Sequence, residues 1–396
     1  MTMALEGVRI LELSRMAPGP GPYCCMMLSD LGAEVIRIVP ASGRASEAVF
    51  AMSSEEEEKT RVYDPEGRNR KCIMLNFKLD EAREIFYKLV DKADVVVEGF
   101  RAGVAKRLAV DYDTLKKRNP RIIYCSLTGY GQTGAYKDLV GHDINYISVA
   151  GALGMFKERG RRPIPPSNIL GDYAGGAQQA AIGILTAIIA RERTGKGQLI
   201  DIAMVDGVIS LMHFAIAQQI RSGGQDAGTA DMFTGKMPHY SVYETKDGKF
   251  MSVGALEPGF FINLCKAIGR EDLIALEWRL DKWDELTAGF EETFITKTRD
   301  EWFAILKETE TCVAPVYGVD EVFDDPHVQE RDMMVELDHP KLGKIRQVGI
   351  PIKLSDTPGK VKWLAPAAGE HTDEVVRSLG YSKRQIEELR KAGAIA

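Results

Sequence analysis

Strand, helix and strand follow one another through short joints at the start of this sequence, and that order constrains the fold more than any other feature. Val8-Arg9-Ile10-Leu11-Glu12-Leu13 is an apolar, partly β-branched run. Ala17-Pro18-Gly19-Pro20-Gly21-Pro22 makes a rigid turn, an apolar helix covers Tyr23 to Leu31, Gly32 stops it, and Glu34-Val35-Ile36-Arg37-Ile38 is a second strand. Strands joined through a helix in this way run parallel. The order repeats with a strand at Cys72 to Leu75, a helix from Asp80 through Val90, a strand at Asp94 to Glu98, a short helix near Asp113 to Arg118 and a strand at Ile122 to Leu127. These repeats predict an α/β fold with a doubly wound, Rossmann-like parallel sheet. Ligands of such sheets sit beyond the carboxyl ends of the strands, where Arg101, Thr128 and Gly129 stand.

Nothing supports dinucleotide binding. The prolines of Gly19-Pro20-Gly21 remove the N–H groups that a pyrophosphate needs, and no P-loop is present. The segment from Pro40 to Asn69 reads as a long irregular loop, with Glu55-Glu56-Glu57-Glu58 as its solvated part.

Further along, an apolar helix spans Ala177 to Ala190, a strand covers Leu199 to Ala203, and a second apolar helix covers Asp206 to Gln218. Ser222-Gly223-Gly224-Gln225-Asp226-Ala227-Gly228 then reads as a flexible linker. Beyond it, alternating runs at Tyr240 to Thr245 and Lys249 to Val253 flank Lys246-Asp247-Gly248, a strong hairpin signal. Helices at Phe260 to Ile268 and Arg299 to Lys307 complete a smaller α+β domain. The tail has strand character at Lys344 to Ile352 and helices at Thr372 to Leu379 and Ser382 to Ala392.

Composition narrows the function classes. The 396 residues are 45% hydrophobic and 27% charged, as in soluble globular proteins. A net charge of −6 without a basic stripe argues against nucleic acid and anionic membranes as partners. The six cysteines form no Cys-x-x-Cys pair, and Cys72 and Cys125 read as small core residues. The histidines show no ligand spacing, so no metal is expected. No run of about 18 apolar residues offers a membrane span, and no charged stretch leads into an apolar one at the start. The expectation is a reduced, cytoplasmic setting.

The chemistry concentrates in two stretches. Gly141-His142-Asp143-Ile144-Asn145-Tyr146 and Asn168-Ile169-Leu170-Gly171-Asp172-Tyr173-Ala174-Gly175-Gly176 each set an ionisable residue beside a glycine, before an apolar run. An Asp at a helix start caps unpaired N–H groups. The same location can hold an oxyanion, and two ionisable groups there can remove and return a proton. Read alone, Asp172 is either a cap or a catalytic carboxylate, and His142 either a core histidine or a base.

Four motifs carry a resemblance. They are Ala17-Pro18-Gly19-Pro20, Gly129-Tyr130-Gly131-Gln132-Thr133-Gly134 and the two stretches above; Gly254-Ala255-Leu256-Glu257-Pro258 and Gly369-Glu370-His371-Thr372 join them. Together they resemble the family III CoA-transferase superfamily, and within it the α-methylacyl-CoA racemase branch, from about Leu5 to Leu379. The resemblance implies an interlocked homodimer with a large Rossmann-like CoA-binding domain at residues 1–222, a small α+β domain at 223–330 and a return to the large domain at 331–396. It implies an acyl-CoA substrate, with no separate cofactor because CoA belongs to that substrate. The implied reaction is a 1,1-proton transfer at the carbon beside the thioester, through an enolate. His142 matches the base on one face, supported by Glu257, and Asp172 the base on the other, with Asn168, Gly171 and Tyr146 in support. The oxyanion is then expected on backbone N–H groups near Asp172. Arg101 and Arg107 match a CoA-contacting stretch, joined by Arg37 and by Gly129, Tyr130 and Gly131. Pro40 and Ala102 depart from the family pattern at the adenosine end, as do Gly21-Pro22 and the long loop from Ser42 to Arg68; Arg70 or Lys71 is the expected compensation. Met155, Phe156, Met232 and Phe233 line an acyl pocket or fill core. The competing reading is a CoA-transferase in which Asp172 attacks the thioester and forms an acyl-enzyme anhydride.

Overall fold

The computed structural model describes residues 2–14, 18–41, 54–157, 161–223 and 233–396. Strands β1 (Arg9–Glu12), β2 (Glu34–Pro40), β3 (Arg70–Leu75), β4 (Val95–Glu98), β5 (Ile123–Thr128) and β6 (Leu199–Ala203) form one sheet. Its order is β3-β2-β1-β4-β5-β6, and every pair is parallel. This is the doubly wound order, with its switch point between β1 and β4. A sheet covered on both faces needs apolar residues on both sides of each strand. Val95, Val96 and Val97 are all fully buried, as are Ile10 and Leu11.

Alternate side chains along each strand feed two cores. Leu11, Ile36, Ile73 and Val96 face the helix Asp80–Val90 together with the C-terminal helices Thr372–Ser378 and Lys383–Lys391. Ile10, Val35, Val97 and Cys125 face the helices Pro20–Asp30 and Gln179–Thr194. A π-helical segment, Ile169–Gln178, runs straight into the latter. The combined helix Ile169–Thr194 is long and apolar enough to cross a membrane by length and composition; here its buried residues Ala177, Ala180, Ile184 and Ala187 belong to the second core.

The chain divides into two compact units: Met1–Leu153, Pro165–Leu211 and Pro326–Ala396 in the first, Gly154–Ile164 and Met212–Asp325 in the second. The single helix read over Asp206 to Gln218 is instead two, Met204–Leu211 and His213–Arg221, and the unit boundary falls at the break. Most of the linker read over Ser222 to Gly228 lies outside the described residues.

In the second unit, β7 (Tyr240–Glu244) and β8 (Phe250–Gly254) form the expected antiparallel hairpin, with Gly248 at φ 71° in its turn. A third strand, β9 (Val313–Val316), pairs with β8. Its Pro315 hides it from a sequence reading, since proline is tolerated only at a sheet edge; β9 is such an edge. Tyr243, Phe261, Phe290, Phe294 and Trp302 form the core of this unit.

Two further differences lie in the first unit. The acidic run is not loop but the helix Ser54–Tyr63. Glu55, Glu56 and Glu57 sit in its first turn, where the helix dipole favours them, and Lys59 pairs with Glu55 at 2.8 Å. Val62 alone of its apolar residues is buried, which leaves too little periodicity to read. The tail forms a hairpin of β10 (Met334–His339) and β11 (Gly343–Val348). Gln347 Nε2 donates to Val62 O at 2.8 Å, and fully buried Arg68 donates to Val348 O at 2.6 Å while pairing with Asp30.

Candidate active site

β5 delivers the chain to the turn Gly129-Tyr130-Gly131 at its carboxyl end. Gly131 adopts φ 86°, which only glycine takes without strain, and its N–H donates to Thr128 Oγ1 at 2.9 Å. A Cβ on Gly129 would overlap the Tyr146 ring. Tyr130 meets Tyr146 edge-on, centroids 5.2 Å apart, and the Tyr146 hydroxyl donates to Gly141 O. The turn is therefore packed against the helix Asp143–Val149. Burial pushes the Tyr146 phenol up to about 12, with Tyr130 and Asp172 adding to the shift and Arg101 opposing it.

His142 is the N-cap residue of that helix, and its side chain is exposed. Its N–H donates to Asn145 Oδ1 at 3.0 Å. The next residue does the joining. Asp143 is 6% exposed, and its Oδ2 accepts from the backbone N–H of Gly171 at 2.6 Å and of Asp172 at 2.8 Å. A Cβ on Gly171 would lie 2.7 Å from that same oxygen. One buried carboxylate thus clamps the backbone that carries His142 to the backbone that carries Asp172.

Asp172 lies in the first turn of the π-helical segment, and Asn168 is its N-cap. Asp172 therefore does not cap the helix. Such π segments are enriched at functional sites because they shift side chains out of the α-helical register. Gly175 and Gly176 allow the crossing helix Met204–Leu211 to come close: added Cβ atoms would lie 2.8 Å from Val208 and Met204. The Asp172 carboxyl is held above the usual carboxylate range, first by burial and then by Asp143, against the Asn168 hydrogen bond and the nearby His142. Asn168 Nδ2 donates to Asp172 Oδ2 at 3.3 Å. The structure thus brings His142, Asp172, Asn168, Gly171 and Tyr146 together.

The oxyanion expectation needs correction. The N–H groups of Gly171 and Asp172 are engaged by Asp143. Among the described residues, the N–H groups of Asp143 and Ile144 carry no hydrogen-bond partner, as the geometry of a helix start requires.

Arg101, in the turn after β4, and Arg107, in the helical turn Val104–Arg107, are exposed and form no ion pair among the described residues. Arg37 is placed differently. It faces the fully buried Glu12, with Nε 3.8 Å from Oε1. Glu12 also pairs with Arg70 and accepts from Ser14. Arg70 is therefore part of a buried cluster, and Lys71 pairs with Glu374 at 2.7 Å, so neither is a free compensating cation. In the second unit, Glu257 is the exposed N-cap residue of the helix Pro258–Ala267. Met155 is half-buried and Phe156 exposed; Phe233 packs on Phe214 and Tyr240. Met232 lies outside the described residues.

A family model for CoA-transferase family III matches residues 5–372. The chain belongs to CoA-transferase family III. A human protein named alpha-methylacyl-CoA racemase is 35% identical over 390 residues, covering 98% of this chain and 96% of its own length. A succinyl-CoA:mesaconate CoA-transferase from Haloarcula marismortui is 33% identical over 389 residues, covering 95% and 96%. A crystal structure of a CAIB/BAIF family protein from Brucella suis superposes with a TM-score of 0.80 at 27% identity, covering 96% of this chain and all of that one.

This family III chain holds ionisable residues that the motifs did not single out as site residues. Asp143 was in plain view, but its partners lie 28 and 29 positions away. Glu66 and Glu98 are 3% and 2% exposed. Burial raises each to about 7. Glu98 ends β4 at the switch point and accepts from Phe100 N–H at 2.6 Å, which fixes the turn that presents Arg101. Glu66 accepts from the Tyr173 hydroxyl at 2.8 Å. Nothing in the local sequence marks either as buried.

Proposed function

We propose that this family III enzyme is a racemase or epimerase of 2-methyl-branched acyl-CoA thioesters, working by 1,1-proton transfer through an enolate. The observation that carries the reading is the pairing of His142 with Asp172 through the Asp143 clamp. Inversion at one carbon needs a base on one face and a proton donor on the other. A carboxyl held above its usual range is a better partner for a weakly acidic carbon than an ordinary exposed one. The free N–H groups of Asp143 and Ile144 point to where charge on the thioester oxygen would be held. Exposed Arg101 and Arg107 suit the CoA phosphates. The reading includes a homodimer in which the partner subunit's Glu257 supports His142.

The second reading is a CoA-transferase with Asp172 as nucleophile, favoured by the relatedness to the Haloarcula transferase. Asp172 serves both reactions. His142 separates them, because anhydride chemistry needs no second proton donor. Incubation of one epimer of 2-methyldecanoyl-CoA in D2O, with and without an acceptor carboxylate, tests the choice. Deuterium uptake at the α-carbon with loss of chirality, independent of acceptor, is expected. CoA transfer to the acceptor without α-exchange would replace the racemase with the transferase.

A further inference from the structure

The buried carboxylate of Glu66 takes no part in the chemistry above, yet a run of polar groups connects it to Asp172. Glu66 Oε1 accepts from the Tyr173 hydroxyl at 2.8 Å, and Oε2 accepts from Gly19 N–H at 2.9 Å. The Tyr173 ring packs at 4.5 Å on Tyr23. The Asn168 amide lies beside the same hydroxyl, where its N–H favours the phenolate. Asn168 Nδ2 donates to Asp172 Oδ2, and the Ser167 hydroxyl donates to Asn168 Oδ1 at 3.4 Å. We propose that Glu66 is a positioning residue for Asp172, fixing through Tyr173 and Asn168 which polar atom faces the Asp172 carboxylate. The proposal rests on the acid/base role given to Asp172 above.

The logic is one of donors and acceptors. An ionised carboxylate only accepts, so Tyr173 must donate to it. The Tyr173 oxygen can then only accept from Asn168. Asn168 must therefore present its NH2 group, whose second hydrogen goes to Asp172. A protonated Glu66 can donate to Tyr173 instead, and the amide is free to turn its carbonyl toward Asp172. Burial holds Glu66 near pH 7, with Asp64 adding to the shift and Tyr173, Gly19 N–H and Arg70 opposing it. Tyr23 also lies close, its phenol raised by burial, by Glu66 and by Asp30 and lowered by Arg68. The switch point of this relay therefore lies near pH 7.

The test compares wild type, Glu66→Gln and Tyr173→Phe over pH 5.5 to 9, together with a 19F signal from 3-fluorotyrosine placed at position 173. Both substitutions should lower kcat about tenfold, the loss of one orienting hydrogen bond, with KM within about twofold. Both should erase the same limb near pH 7, and the double variant should be no worse than either single one. The 19F signal should titrate near pH 7 and stop doing so in Glu66→Gln. Retention of the limb and of kcat in Glu66→Gln, or a 19F signal indifferent to Glu66, would overturn the proposal. The rate is read as α-exchange or as CoA transfer, whichever the wild type performs, so failure of the racemase reading leaves this result separate. The 19F titration needs no turnover at all.

Discussion

At the scale of single residues, the candidate site is tied together by Asp143, whose carboxylate joins the backbone beside His142 to that of Asp172. Asp143→Ala leaves the N–H groups of Gly171 and Asp172 without their acceptor. Each orphaned group costs about 1–3 kcal/mol, so thermal unfolding should fall by several degrees and activity should drop further than stability. Glu66 and Glu98 set a pH dependence of stability. Each holds a proton up to about pH 7 in the fold but releases it near its ordinary value when unfolded. The native state thus binds more protons between about pH 4.5 and 7, and its stability falls as pH rises through that window. Glu66→Gln removes one such group, so its stability relative to wild type should rise across the window, by at most about 3 kcal/mol, as read from urea midpoints. His142 and Asp172 were legible as ionisable residues beside glycines. Asp143 and Glu66 were not, because their partners are remote in sequence and only burial gives them a role.

At the scale of elements, the central strands β1, β4 and β5 were legible because buried parallel strands read as continuous apolar runs. The π-helical register of Ile169–Gln178 was not, since it comes from packing. Gly207 shows how tight that packing is: a Cβ there would overlap the Gly175 carbonyl. Gly207→Ala should cost about 1–3 kcal/mol through overpacking and displace Asp172, lowering kcat more than it raises KM. The helix Ser54–Tyr63 escaped the sequence reading for the opposite reason: ion pairs and first-turn carboxylates hold it, with only Val62 in the core.

At the scale of the whole molecule, repeated strand–helix units were enough to foresee the doubly wound sheet, and its switch point carries Glu98 and the Arg101 turn. The proposed homodimer is testable through complementation. If the partner subunit's Glu257 supports His142, co-expressed His142→Ala and Glu257→Ala chains should recover roughly half of the activity per mixed dimer, because one site then holds both wild-type groups. The central claim is two-base chemistry, and the most direct measurement follows α-deuterium uptake from each epimer separately in His142→Ala and Asp172→Asn. Two-base transfer predicts that each variant loses racemisation yet still exchanges one epimer, the opposite one in each case. Equal loss of exchange from both epimers in both variants, or exchange untouched by either, would contradict it.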